Sequence, residues 1–164
     1  MTDYPAPSPF HQNPPRDVRF TIEETGIWGY INNRRFVYTE GGSRMKNVKH
    51  RPLIGRIYCD CSAWVTYCYS WAGAKDPNGL NFDGEGYTGT LLRNGTSITV
   101  NQALGGDVVV FGPGDGVHCA LILTAGKDPL CSSMGTQGQP VKARVSEMLN
   151  LGEPRYLRFS TLAR

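Results

Sequence analysis

Two apolar runs that suit β-strands are separated by five residues that favour a turn. Val108-Val109-Val110-Phe111 and Val117-His118-Cys119-Ala120-Leu121-Ile122-Leu123 flank Gly112-Pro113-Gly114-Asp115-Gly116. β-Branched and aromatic residues favour extended chain, and a Gly/Pro cluster between two such runs reads as a hairpin or meander corner. His118 opens the second strand, and the period of two puts Ala120 and Ile122 on its face. A histidine at a strand start is ordinarily a satisfied structural residue. The other two fit that description: His11 lies in a Pro-rich leader, and His50 sits between Lys49 and Arg51. Only His118 is framed by an apolar strand.

Upstream, Cys61-Ser62-Ala63-Trp64-Val65-Thr66-Tyr67-Cys68-Tyr69-Ser70-Trp71-Ala72 contains no Gly or Pro. Asp60 before it is a good N-cap, and Gly73 after it a stop. Val65, Cys68 and Ala72 recur at helical spacing and predict a buried stripe. Cys61 falls in the first turn, where unpaired N–H groups and the helix dipole favour an anion. An effect of up to about 2 kcal/mol would bring a thiol from about 8.5 to about 7, so roughly half is thiolate near neutrality. A free cysteine is more often an inert core residue. Cys68 fits that reading on its apolar stripe, whereas Cys61 has the placement of a nucleophile. A cysteine nucleophile and its histidine base are typically distant in sequence and meet in space.

The order Asp60-Cys61-Ser62, Gly106-Asp107-Val108-Val109-Val110-Phe111, then Gly116-Val117-His118-Cys119-Ala120-Leu121-Ile122-Leu123 resembles the NlpC-type papain-like cell-wall peptidases. More narrowly it resembles the short peptidase domains of actinobacteriophage endolysins, as do Asp76-Pro77-Asn78-Gly79 and Gly86-Tyr87-Thr88-Gly89-Thr90-Leu91-Leu92. The resemblance spans roughly residues 57–140. It implies an α+β papain-like fold, with the catalytic helix packed on an antiparallel sheet. By position it makes Cys61 the nucleophile and His118 the general base, with Asp60 and Ser62 as the flanking motif and the Cys61 N–H in the oxyanion hole. A third polar residue on the next strand would orient the imidazole. Counting along Leu130-Cys131-Ser132-Ser133-Met134-Gly135, with Asp128-Pro129 as a turn insertion, puts Ser132 in register and Ser133 next. Phage relatives often carry a histidine near the Met134 position; this chain does not.

The resemblance further implies acyl transfer without metal or cofactor on peptidoglycan stem peptides, cut within the peptide or at the glycan–peptide amide. A catalytically idle wall-binding or virion structural protein and a thioester acyltransferase are the alternatives. Gly84-Glu85-Gly86-Tyr87-Thr88-Gly89 spells a dinucleotide fingerprint, but no strand is expected before it and Asp107 opens a strand rather than ending one. Cys59, Cys61, His118, Cys119 and Cys131 could gather as a sulfur-rich metal site, yet paired C-x-x-C or H-x-x-x-H spacing is missing.

At 164 residues and 40% hydrophobic content, the chain is long enough to bury a core. The expectation is an extended Pro-rich arm over 1–16 and a single catalytic domain over 17–164. Within it, 19–40 reads as a strand pair or a short helix plus strand, 76–89 as a Gly-rich loop on the groove rim, and Tyr156-Leu157-Arg158-Phe159 as a last strand. The five cysteines are an odd number without C-x-x-C, which argues against a full disulfide framework. With no membrane-spanning run and no signal-peptide pattern at Met1–Pro7, synthesis and initial residence in a host cytoplasm are expected, or carriage on a virion. A monomer is expected, without membrane or nucleic-acid partner. Arg44, Lys46, Lys49, His50, Arg51 and Arg56 form a basic stretch on a chain of net charge +3. With no nucleic-acid motif beside it, it suits solvent or anionic wall polymers.

Overall fold

The computed structural model describes residues 17–162; the leader expected as an arm lies outside them. The elements are α1 (Val18–Ile31), β1 (Phe36–Tyr38), β2 (Ile57–Cys59), α2 (Cys61–Trp71), α3 (Thr88–Asn94), β3 (Thr96–Ile98), β4 (Val108–Phe111), β5 (His118–Thr124), β6 (Leu130–Met134), β7 (Pro140–Arg144) and β8 (Pro154–Arg158). β1 and β2 make a small parallel pair. The other six form one antiparallel sheet in the order β3-β8-β4-β5-β6-β7. This is the expected α+β architecture. The 19–40 segment takes its helix-plus-strand form, and the C-terminal strand β8 is inserted between β3 and β4 rather than left at an edge.

The β4–β5 hairpin joins Phe111 to His118. Gly112, Gly114 and Gly116 all have positive φ, a conformation that costs glycine nothing and other residues strain. β4 is apolar throughout because both faces of the sheet are covered. Val108, Val110, Cys119 and Leu121 face the helices, in one core with Trp64, Val65 and Cys68. Val109, Phe111, Ala120, Ile122 and Cys131 face the other way, against Val145 and Met148 of a 3₁₀ segment at Val145–Leu151.

α2 runs through the centre of the molecule. Its burial extends well beyond the expected stripe, from Ser62 to Tyr69 and at Trp71, because sheet, β2 and α1 all pack on it. α1 lies close because it presents glycines. A Cβ on Gly29 would come within 2.3 Å of the Trp64 ring, and one on Gly26 within 2.7 Å of Leu121 Cδ2. Trp64 then meets Phe36 edge-on at 5.1 Å and Trp71 at 6.2 Å. Asp107, the acid that opens the β4 run, is a structural anchor. Fully buried, it accepts from Arg158 at 2.7 Å and the Leu104 N–H at 2.9 Å, and pairs with Arg19 at 3.2 Å. Two cations and a backbone donor offset the cost of burying its charge.

Candidate active site

The site begins with the cap of α2. One Asp60 oxygen accepts from the Ala63 N–H at 2.9 Å and from the Ser62 hydroxyl at 3.2 Å; the other lies 3.5 Å from Arg44 Nε. Burial raises the Asp60 pKa, opposed by the Ala63 N–H, Arg44 and Ser62. Arg44 also donates to the Gly86 carbonyl at 2.6 Å, tying the cap to the 76–89 loop. Asp60 and Ser62 therefore build the helix start that presents Cys61. The N–H of Ala63 is already taken by the cap, which leaves those of Cys61 and Ser62 as first-turn donors for a substrate oxygen.

Cys61 lines one cavity with His118. Its thiol is held well below the usual range, first by the Cys119 hydrogen bond and then by the bond and charge of His118, with burial opposing. His118 is 9% exposed and lies against the Phe111 ring at 6.0 Å. Its Nε2 is 2.8 Å from Ser133 Oγ. With Nε2 committed to Ser133, Nδ1 is the nitrogen left to exchange a proton with the thiol.

The residue on the imidazole is thus Ser133, and the assignment of Ser132 is corrected. Near the turn, Thr124 pairs with Leu130; past Leu123, Ile122 pairs with Cys131 and Leu121 with Ser132. Had the Thr124 register continued, Ser132 would have shared a face with Ile122 and His118. A bulge at Leu123 adds one residue to β5 and flips the parity, so Ser133 takes that face. Ser132 points at the helices, accepting from Trp64 Nε1 at 2.9 Å and donating to the Gly26 carbonyl at 3.3 Å. It clamps α1, α2 and β6 together.

Cys61, His118 and Ser133 line an open cavity of about 380 Å³. Val117, Val141, Ala143, Met148 and Leu151 give it an apolar side; Tyr38, Glu40 and Gln137 give it polar edges. The Tyr38 hydroxyl donates to Glu40 at 2.5 Å, and burial together with that carboxylate raises its pKa. No lining residue comes from 76–89, the expected rim. That loop is drawn inward by Asp76, whose carboxylate accepts from the backbone of Asn78, Leu80 and Phe82. Tyr38 and Glu40 carried no local signal, since only the β1–β2 pairing brings them to the α2 start.

The remaining thiols are of another kind. Cys59, Cys68, Cys119 and Cys131 are buried and raised by desolvation, Cys131 to about 12. Cys119 and Cys131 lie on opposite faces of the sheet, so the sulfur-rich cluster does not assemble. Among the described residues no three His, Cys, Asp or Glu side chains group as a metal-holding set, and no helix is long and apolar enough to cross a membrane.

No family model matches the sequence, and no curated protein does. Solved structures do match. RipD of Mycobacterium tuberculosis, described as a non-catalytic NlpC/p60 domain protein adapted to peptidoglycan binding, is 22% identical with a TM-score of 0.54, over 84% of this chain and 96% of that one. The P60 domain of a Mycobacterium avium paratuberculosis antigen is 20% identical with a TM-score of 0.55, over 86% and 95%. The peptidoglycan hydrolase RipB of Mycobacterium tuberculosis is 22% identical with a TM-score of 0.54, over 88% and 67%. The fold is that of an NlpC/p60 domain. An NlpC/p60 fold is shared by a protein described as a hydrolase and one described as non-catalytic, so the chemistry rests on the site.

Proposed function

We propose that the protein is a cysteine peptidase or amidase that hydrolyses an amide bond of peptidoglycan stem peptides. The observation that carries this reading is that Cys61, its thiol held well below the usual range, and His118, itself held by Ser133, line one open cavity. Thiolate attack on the amide carbonyl would form a C–S bond, and the carbonyl oxygen would take its charge against the Cys61 N–H at the helix start. Proton delivery from His118 to the amine would let the C–N bond break. Water, deprotonated by His118, would then displace the thiolate from the acyl-enzyme. Ser133 can orient the ring through its hydroxyl; a neutral hydroxyl stabilises imidazolium less than a carboxylate would.

The setting we propose is that of a phage lysin made in the host cytoplasm and acting on the wall once the membrane is breached, with carriage on a virion as the alternative. Anionic wall polymers are a proposed second contact. Much of the basic stretch is already engaged: Arg44 holds Asp60, Arg51 lies over Trp28 at 4.4 Å and Lys46 over Tyr58 at 5.3 Å. Exposed Lys49 and Arg56 are the cations to test for wall binding. The likeness to RipD favours a second reading, an idle peptidoglycan-binding domain, and a thioester acyltransferase would use the same groups. The deciding experiment is digestion of actinobacterial peptidoglycan with wild type and Cys61→Ala, read by mass spectrometry. Fragments released by wild type alone are expected, and their new termini name the bond. A folded wild type that binds wall and releases nothing would move the assignment to the binding role.

A further inference from the structure

The loop that leads from the 3₁₀ turn at Gly42–Met45 into β2 presents two successive aliphatic side chains to water. Leu53 is 63% and Ile54 80% exposed. Aliphatic residues exposed singly are ordinary, but two together at a fixed tip call for a partner. The tip is fixed because Arg35 donates to the carbonyls on both sides of it, to Pro52 at 2.8 Å and to Gly55 at 2.8 Å. Gly55 closes the turn at a φ of 91°, and Arg51 lies over the Trp28 ring at 4.4 Å. The two guanidiniums thus hold the loop on the end of α1, whose last residue, Ile31, is itself 72% exposed.

The charge around this tip has one sign. Lys49 and Arg56 flank it in the chain, Arg34 precedes the Arg35 clamp, and all three are exposed. The segment 41–59 contains no Asp or Glu. Apolar side chains ringed by cations match a surface that is anionic at its face and apolar beneath. We propose that this loop seats the protein on an anionic lipid bilayer, with Leu53 and Ile54 entering the interface and Arg34, Lys49 and Arg56 meeting the phosphates. A wall polymer would use the cations and leave both aliphatic side chains in water. The expectation of no membrane partner rests on the lack of a spanning run, and a loop seated in the interface needs none.

The position of the loop leaves the cavity available. β1 and β2 run parallel, from Phe36 and Ile57 on the loop side to Tyr38 and Cys59 at the start of α2. The loop lies at one end of this pair and Cys61 at the other. Seating Leu53 and Ile54 therefore does not require the cavity to face lipid. The proposal stands apart from the hydrolase reading, since a bilayer is bound without any peptide.

The test is cosedimentation of the full chain with vesicles of phosphatidylglycerol and phosphatidylcholine, and with vesicles of phosphatidylcholine alone. Wild type should bind the anionic vesicles and leave the neutral ones, the binding weakening as salt rises. Leu53→Ser/Ile54→Ser should bind at least about tenfold more weakly, the worth of seating even one aliphatic side chain. Lys49→Gln/Arg56→Gln should lose about 25-fold, at about fivefold for each charge near the surface. All four side chains are exposed, so thermal melts should match wild type. Alkylation of Cys61 by iodoacetamide should be unchanged in the serine pair. A wild type that ignores anionic vesicles overturns the proposal. So does equal vesicle binding by wild type and the serine pair, which would leave charge alone at work. Lipid-free cell walls run in parallel distinguish the other anionic partner: if walls sediment wild type and vesicles do not, the surface belongs to wall polymers and the bilayer is rejected. A wild-type dimer that the serine pair abolishes, without vesicle binding, would give the loop to a second copy and reject it equally.

Discussion

Cys61 and Cys68 stand two turns apart on one helix, and their surroundings make opposite use of the same thiol. Cys68 has core on every side, and burial drives its pKa up. Cys61 sits where the helix begins, on an open cavity that His118 also lines, and its thiol is held well below the usual range. Helix propensity does not distinguish the two positions. The difference is made by what the sheet brings to each end of α2, and by the placement of Cys61 at the capped helix start.

Substitutions can break that contrast, and removing the base should do most. His118→Ala is expected to lower wall hydrolysis by about 10²–10⁴-fold, the usual worth of a general base. It should also move the Cys61 alkylation midpoint to higher pH. The sign follows from the lowered thiol: wild-type Cys61 stays reactive as pH falls through neutrality, losing reactivity only below its own pKa, whereas the variant loses it earlier. Alkylation kinetics across pH check this, and an unmoved midpoint would detach His118 from the thiolate.

The two serines sharpen the same contrast across β6. Ser132→Ala should destabilise the fold by about 1–3 kcal/mol, since it leaves the buried Trp64 N–H without its acceptor. Its alkylation profile should stay that of wild type. Ser133→Ala should melt nearly as wild type does but turn over up to about tenfold more slowly, the worth of one orienting hydrogen bond. Thermal melts paired with turnover separate them. A melting loss in Ser133→Ala with unchanged turnover would exchange the two roles. The smallest effect is expected at the other thiol. Cys68→Ala should cost about 1 kcal/mol of stability for a small lost volume and leave Cys61 reactivity untouched.

How much of this was readable in advance varies with the range of the interaction. The α2 cap, the cysteine at its first turn, the glycine that ends it and the β4–β5 hairpin are set by neighbours within a few residues. They follow from Asp60, Gly73 and the Gly112–Gly116 loop. The resemblance to the NlpC-type peptidases supplied the architecture, and the solved NlpC/p60 structures match it. The identity of the third residue was lost to a single-residue bulge at Leu123, which no local composition announces and which turns a strand over completely.

The sequence by itself determined a helix opening on a cysteine and an apolar hairpin bearing a histidine, because capping, turn chemistry and periodicity act over one or two turns of chain. Only the tertiary structure decided that Ser133 rather than Ser132 meets the imidazole, and that Tyr38 and Glu40 edge the cavity. Those contacts depend on strand register and on the angle at which α2 crosses the sheet. Register and crossing angle are fixed by packing across the whole core, through close contacts such as Gly29 on Trp64.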